Sequence, residues 1–254
     1  MIYSDNDWKD AIAHIPPGYD NSKYNIIFDH HSHTTFSDGV LTLKQNVEWH
    51  IAMGFNALAI TDHNNMRHLE EIDKIREEYK EKGILILSGI EWTTNRIHLN
   101  FIGISEWKSK IHYKTTDEKI IEAIHEAHEQ DAIVVCDHIP WTIYEFNVKT
   151  HPSRESLLKW GIDYIEIIND DSQPENVYDH ESYEFCVKND NKVGMITGTD
   201  MHSPDRLASG GVHGWTLMNI KDFSEDGLLK ELRTKRTSII YSKIPYLDPG
   251  IHKE

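Results

Sequence analysis

The sequence predicts an α/β barrel of parallel strands, and three observations carry that expectation. Short apolar runs alternate with helix-like stretches, the pattern of strands joined by right-handed crossovers. Seven or eight such units fit in 254 residues, which favours a barrel over an open sheet. Nearly every apolar run also ends on histidine, aspartate or glutamate, and barrel chemistry gathers at the carboxyl ends of strands.

Residues 25–29 (Asn25 to Asp29) form the first expected strand. Thr42 caps a helix over 42–53, with Leu43, Val47 and Ile51 on one face. A strand over 55–60 follows. Next comes a helix over 67–82 that carries Leu69, Ile72, Ile75 and Tyr79 and stops at Gly83. Strands over 84–89 and 97–102 precede a helix over 116–130, begun by Thr116 and Asp117, with Ile120, Ile121, Ile124 and Ala127 inward. The remaining strands are 132–136, 163–168, 193–197 and 214–218; the remaining helices are 153–160, 174–189 and Glu225 to Arg233. One domain over residues 1–254 is expected, with 1–24 an extension ahead of the first strand.

Composition bounds the function. The formal net charge is −16, and a surface that acidic repels phosphate backbones, which argues against a nucleic-acid polymer as partner. A small anionic substrate stays open, because bound divalent cations reverse the local field. Cys136 and Cys186 form no Cys-x-x-Cys pair, so buried thiols in a reducing cytoplasm are expected. No apolar stretch approaches the ~20 residues of a membrane span. No surface in the sequence declares an interface, so the oligomeric state is unassigned.

The strand ends carry the chemistry. Asp29-His30-His31-Ser32-His33 closes the first strand and leads to Ser37-Asp38-Gly39. His31 and His33 lie two apart, so both side chains leave one face; Asp200 and His202 repeat that spacing. Thr61-Asp62-His63, Glu91 and His138 stand after other apolar runs. Imidazoles and carboxylates without thiolate suit zinc, manganese or iron. The set exceeds the four ligands of one tetrahedral ion, which implies two or three divalent ions, with Glu91 as the bridging carboxylate. Asp29 and Asp62 are expected to orient imidazoles. Asn169 and the arginines Arg96, Arg154 and Arg206 are candidate substrate-binding groups. Trp92, Trp107, Trp141 and Trp215 are read as packing residues that could also frame a base-stacking pocket.

These strings resemble the motifs of the polymerase and histidinol phosphatase (PHP) family. Asp29-His30-His31-Ser32-His33-Thr34 with Ser37-Asp38-Gly39 resembles its first motif. Ile60-Thr61-Asp62-His63, Gly89-Ile90-Glu91, His138 with Pro140, and Gly198-Thr199-Asp200-Met201-His202 resemble the rest, in order. The resemblance implies a distorted (β/α)7 TIM-like barrel. Position by position, His31, His33, Glu91 and Asp200 would hold a first ion. Glu91, His98 and His138 would hold a second, and Asp38, His63 and His202 a third. His98 begins a strand rather than ending one, and His112 and His151 compete with it. His30 stands where the family commonly has an aliphatic residue, and His138-Ile139-Pro140 replaces an adjacent His-Pro.

The implied activity is a metal-dependent phosphoesterase on a small phosphorylated molecule, either histidinol phosphate-like or a nucleotide. Hydroxide shared by two ions would attack phosphorus in line. Asp200 would accept its proton, with Glu91 and His202 completing the catalytic set. Monoesters are favoured, because the inserted arm of diester-cleaving relatives is absent and the surface is acidic. The alternatives are a phosphodiesterase or exonuclease on nucleotides, an amidohydrolase-like C–N hydrolase, and a non-catalytic metal-binding module.

Overall fold

The computed structural model describes residues 16, 18–108, 115–145, 149–172, 176–205 and 212–242. In chain order its elements are β1 (Ile26–Asp29), α1 (Leu43–Ala52), β2 (Ala57–Ile60), α2 (Leu69–Glu81), β3 (Leu85–Thr93), β4 (His98–Ile102), α3 (Asp117–His128) and β5 (Ile133–Cys136). Then follow α4 (Ile139–Glu145), α5 (Arg154–Trp160), β6 (Tyr164–Asn169), α6 (His180–Lys188), β7 (Gly194–Gly198), β8 (Gly214–Met218), α7 (Glu225–Leu232) and β9 (Ser238–Tyr241).

The strands form one sheet in the order β7-β6-β5-β4-β3-β2-β1-β8-β9. β1, β2 and β3 pair in parallel, as do β5, β6 and β7. The sheet curls until the ends of β1 and β7 meet. There the His33 N–H donates to the Met201 carbonyl and the Asp200 N–H to the His31 carbonyl, each at 3.0 Å. This nearly closed barrel is the expected architecture, and the segments after β1 and β7 meet at its mouth.

Side chains alternate across each strand. Ile26, Phe28, Ala57, Ala59, Leu85, Leu87, Ile102, Ile133, Val135, Tyr164 and Ile196 form one cluster drawn from all seven barrel strands. Leu58, Ile60, Ile84 and Ile86 belong instead to the layer beneath α1 and α2, with Ile72 and Tyr79. Two residues further toward the mouth, the inward face turns polar: His30 after Phe28, Asp137 after Val135 and Glu166 after Tyr164 are all fully buried.

Four elements depart from expectation. β4 is antiparallel to both β3 and β5, because Thr94 turns the chain back through bonds from its N–H and hydroxyl to the Ile97 carbonyl. The expected all-parallel alternation therefore fails at this hairpin. α4 follows His138 directly, with Pro140 in its first turn, where a missing N–H costs no helical bond. β8 runs antiparallel to β1, against the expected parallel order, and β9 pairs antiparallel with β8. Both cysteines are buried thiols outside any disulfide, as expected. Among the described residues, no helix is long and apolar enough to cross a membrane.

Candidate metal centre

The mouth is built by short segments just past the strands. Three hydrogen bonds fix the loop after β1: Asp62 accepts from the Thr34 N–H, the Thr34 hydroxyl and the Ser37 hydroxyl at 2.6–2.8 Å. Asp29 accepts from the His31 and Thr199 N–H groups at 3.1 and 3.0 Å. Their imidazole partners are His50 and His68, both at 2.9 Å. The expectation that Asp29 and Asp62 orient the candidate ligand rings is thus corrected. Both carboxylates are spent on peptide N–H groups and on histidines outside the cluster.

Four side chains converge on one point. His31 Nε2 and His33 Nε2 lie 3.2 and 3.0 Å from Asp200 Oδ1. The same two nitrogens lie 3.4 and 3.3 Å from Glu91 Oε2. Tetrahedral ligands bound at about 2.0–2.2 Å stand roughly 3.4 Å from one another, so these edges match a cation's coordination shell. A second group joins Glu91 Oε1 to His98 Nδ1 at 2.8 Å and to His138 Nε2 at 3.3 Å. Glu91 thus turns one oxygen to each group. The third group is more open: Asp38 lies 3.6 Å from His63 Nε2 and 3.4 Å from His202 Nε2, with His33 Nδ1 at 4.0 Å. Because β4 is antiparallel, His98 at its start reaches the same mouth as the ends of the parallel strands. His151 instead hydrogen-bonds the Pro152 carbonyl, and His112 lies outside the described residues.

The donor set fits divalent ions. His31 Nε2, both ring nitrogens of His33, Glu91 Oε2 and Asp200 Oδ1 are buried without a hydrogen-bond partner. Buried polar atoms are normally satisfied; here His31 Nε2, His33 Nε2, Glu91 Oε2 and Asp200 Oδ1 face one another in the first group, and His33 Nδ1 faces the third. Charge tells the same story. Burial alone would raise Glu91, but His63, His31 and His98 outweigh it and hold the carboxyl well below its ordinary range. Burial would lower His138, yet its bond to Glu91 and the charge of Asp200 lift it to about 9. Burial and the neighbouring His202 push His33 down to about 4. The carboxylates therefore demand positive charge, which protons supply in the absence of a cation.

A cavity of about 240 Å³ opens over the groups, lined by Asp38, His63, Thr93, His98, His138, Trp141, Asp171, Ser172, Asp200 and His202. Among the described residues, the expected substrate-binding residues Arg96, Arg154 and Asn169 do not line it. Arg154 is tied to Asp179 and Glu181 at 3.0 Å. Arg96 pairs with Asp117 at 2.6 Å and bonds the Thr150 carbonyl. Asn169 donates to Glu166 and Asp200, both at 3.1 Å. Arg206 lies outside the described residues. Of the four tryptophans, Trp92 and Trp215 are buried in the core and Trp107 packs on Phe101; Trp141 alone lines the cavity.

The structure adds residues that motif reading missed. Glu166 accepts from His31 Nδ1 at 3.2 Å, Thr93 bonds His63 Nδ1 at 2.6 Å, and Thr142 bonds His138 Nδ1 at 3.1 Å. Asp171 Oδ2 lies 3.2 Å from His202 Nδ1. Acids in or just past an apolar strand were the available signal for Glu166, Asp137 and Asp171. His30 finds its place inside the barrel, with Nδ1 on the Thr197 carbonyl at 3.0 Å and Nε2 at 3.3 Å from Asp137.

Residues 29–201 match the PHP domain family. The chain is 36% identical over 85 residues to a protein of Salmonella typhimurium named 5′-3′ exoribonuclease Rnm, a match spanning 31% of this chain and 28% of that relative. Among solved structures, it resembles a two-domain protein from Bacteroides vulgatus that contains a predicted PHP-like metal-dependent phosphoesterase. That likeness has a TM-score of 0.68 at 25% identity and covers 91% of this chain and 68% of the other. An amidohydrolase from Chromobacterium violaceum shares the fold alone, at a TM-score of 0.51 and 15% identity, covering 84% of this chain and 97% of that one. The exoribonuclease relatives overturn the expectation against a nucleic-acid polymer. A net charge of −16 sums the whole surface, whereas a phosphate meets only the field of the mouth, which cations invert.

Proposed function

The chain belongs to the PHP domain family, and from that premise we propose that it is a metal-dependent phosphoesterase acting at the 5′ end of an RNA strand or oligonucleotide. The observation that carries this reading is the set of orphaned ligand atoms on His31, His33, Glu91 and Asp200 beneath a small polar cavity. When bound, divalent ions at these residues would supply a Lewis acid for the phosphoryl oxygens and a water ionised near neutral pH.

The chain's own groups divide the remaining work. Glu91 gives one oxygen to each of two ligand groups and so sets their spacing. Asp200 has Oδ2 held by Asn169 and Oδ1 turned toward His31 and His33, which suits it to take the proton of the attacking water. His202 and Asp38, at the open side, border the path of the leaving group. Trp141 offers an aromatic face to a base, 4.9 Å from the His138 ring and 5.8 Å from His98; stacking of this kind is worth about 1–3 kcal/mol per base. Exonucleolytic cleavage is preferred over internal cleavage because the relatives the chain matches are named 5′-3′ exoribonucleases.

The test is turnover of a 5′-labelled oligoribonucleotide beside p-nitrophenyl phosphate, before and after chelation and Mn²⁺ or Zn²⁺ repletion. Metal-restorable release of mononucleotides from the 5′ end is expected, with Trp141→Ala raising KM about tenfold or more. Hydrolysis of the monoester with an intact oligonucleotide would overturn the assignment of substrate.

A further inference from the structure

We propose that Glu166 is the positioning residue that locks the first and second ligand groups to each other, and that Gly198 is glycine to give its carboxylate room. This inference rests on the metal-centre reading above. Glu166 lies on the inward face of β6, two residues beyond Tyr164, and is fully buried. Oε1 accepts from His31 Nδ1 at 3.2 Å. Oε2 accepts from the His138 N–H at 2.7 Å and from Asn169 Nδ2 at 3.1 Å.

Each contact sets a different feature of the mouth. An ionised carboxylate only accepts, so His31 carries its proton on Nδ1 and turns a bare Nε2 toward Asp200 and Glu91. His138 sits at φ +23°, outside the regions an L-residue ordinarily occupies, and the 2.7 Å bond to its N–H holds that turn. Asn169 donates its other amide hydrogen to Asp200 at 3.1 Å. One side chain thereby fixes a ring of the first group, the backbone of the second, and, through Asn169, a carboxylate of the first.

Gly198 is an independent observation on the neighbouring strand. A Cβ built there would stand 2.2 Å from Glu166 Oε1, 2.7 Å from His31 Cβ and 2.8 Å from His30 Cε1. Its φ is not in the left-handed region, so the demand for glycine comes from these neighbours and not from the backbone. The carboxylate and the absent side chain fit one space.

Glutamine at 166 keeps the shape but has one acceptor oxygen. It can serve His31, or His138 with Asn169, and its amide then faces a donor. The experiment is Co²⁺ titration of the metal-free chain, read by the visible absorption of bound cobalt, for wild type, Glu166→Gln, Gly198→Ala, Glu166→Ala and the Glu166→Ala/Gly198→Ala pair. Circular dichroism and thermal midpoints of the metal-free proteins are recorded alongside. Wild type is expected to bind two or three ions. Glu166→Gln should weaken binding about 10–100-fold with an altered spectrum and an unchanged fold. Gly198→Ala should do likewise in wild type and have a smaller effect on Glu166→Ala, because the tightest of its three close contacts, at 2.2 Å to Oε1, is then gone while those to His31 and His30 remain.

Wild-type affinity and spectrum in Glu166→Gln would overturn this proposal alone. Equal effects of Gly198→Ala in both backgrounds would overturn the pairing with Glu166. Failure of the wild-type chain to take up cobalt would overturn the metal-centre reading itself, and this inference with it.

Discussion

At the scale of single residues, the ligand histidines and acids were legible because each follows an apolar run at a strand end. Their supports were not, since a supporting residue is defined by what it faces across the barrel. Asp29 and Asp62 illustrate the difference: adjacency suggested that they hold ligand rings, whereas they grip peptide N–H groups of the loops that carry those rings. Gly39 belongs to the same loop. A Cβ there would lie 2.6 Å from the His33 carbonyl carbon and oxygen, both backbone atoms that cannot swing aside. Gly39→Ala should therefore destabilise the fold by about 1–3 kcal/mol and reduce bound metal. Thermal unfolding with elemental analysis checks this; an unchanged midpoint and full metal content would show that the loop yields freely.

At the scale of elements, most strands and helices stood in the sequence within two or three residues of their ends, because each is short, apolar-periodic and bounded by caps such as Thr42, Thr116 and Ser153. β4 shows where pattern stops. A strand's apolar residues do not report its direction, and only the Thr94–Ile97 turn does, which left His98 ambiguous until the hairpin was seen. The joint between β5 and β6 supports a pH prediction remote from the metal centre. Asp163 accepts from His128 at 3.1 Å, from the Val134 N–H at 3.0 Å and from Lys235 at 3.0 Å. Burial raises its carboxyl, but these three partners outweigh burial and hold it below the ordinary value of 3.8. A depressed carboxyl stabilises the fold above the unfolded value and loses that contribution as pH falls through the folded one. Asp163→Asn should thus be less stable by about 1–2 kcal/mol near neutrality, with the gap closing below pH 3.8. Denaturant unfolding at several pH values checks this; a gap independent of pH would assign the loss to packing.

At the scale of the whole molecule, the barrel keeps an apolar floor, a polar layer of His30, Asp137 and Glu166, and a ligand-lined mouth above it. Alternation along each strand joins these three levels, so the residues beneath the ligand groups continue the apolar rows of the floor. Net charge was the least reliable whole-chain signal, because a sum of −16 does not locate its charges. The central claim is that His31, His33, His98, His138, Asp200 and above all Glu91 form a multinuclear divalent-metal centre. The most direct measurement is metal content per chain, by elemental analysis after repletion, of wild type beside Glu91→Ala. The expected result is two or three ions in wild type, falling to one or none in the variant with its circular dichroism retained. One ion or none in wild type, or the same content in both proteins, would contradict it.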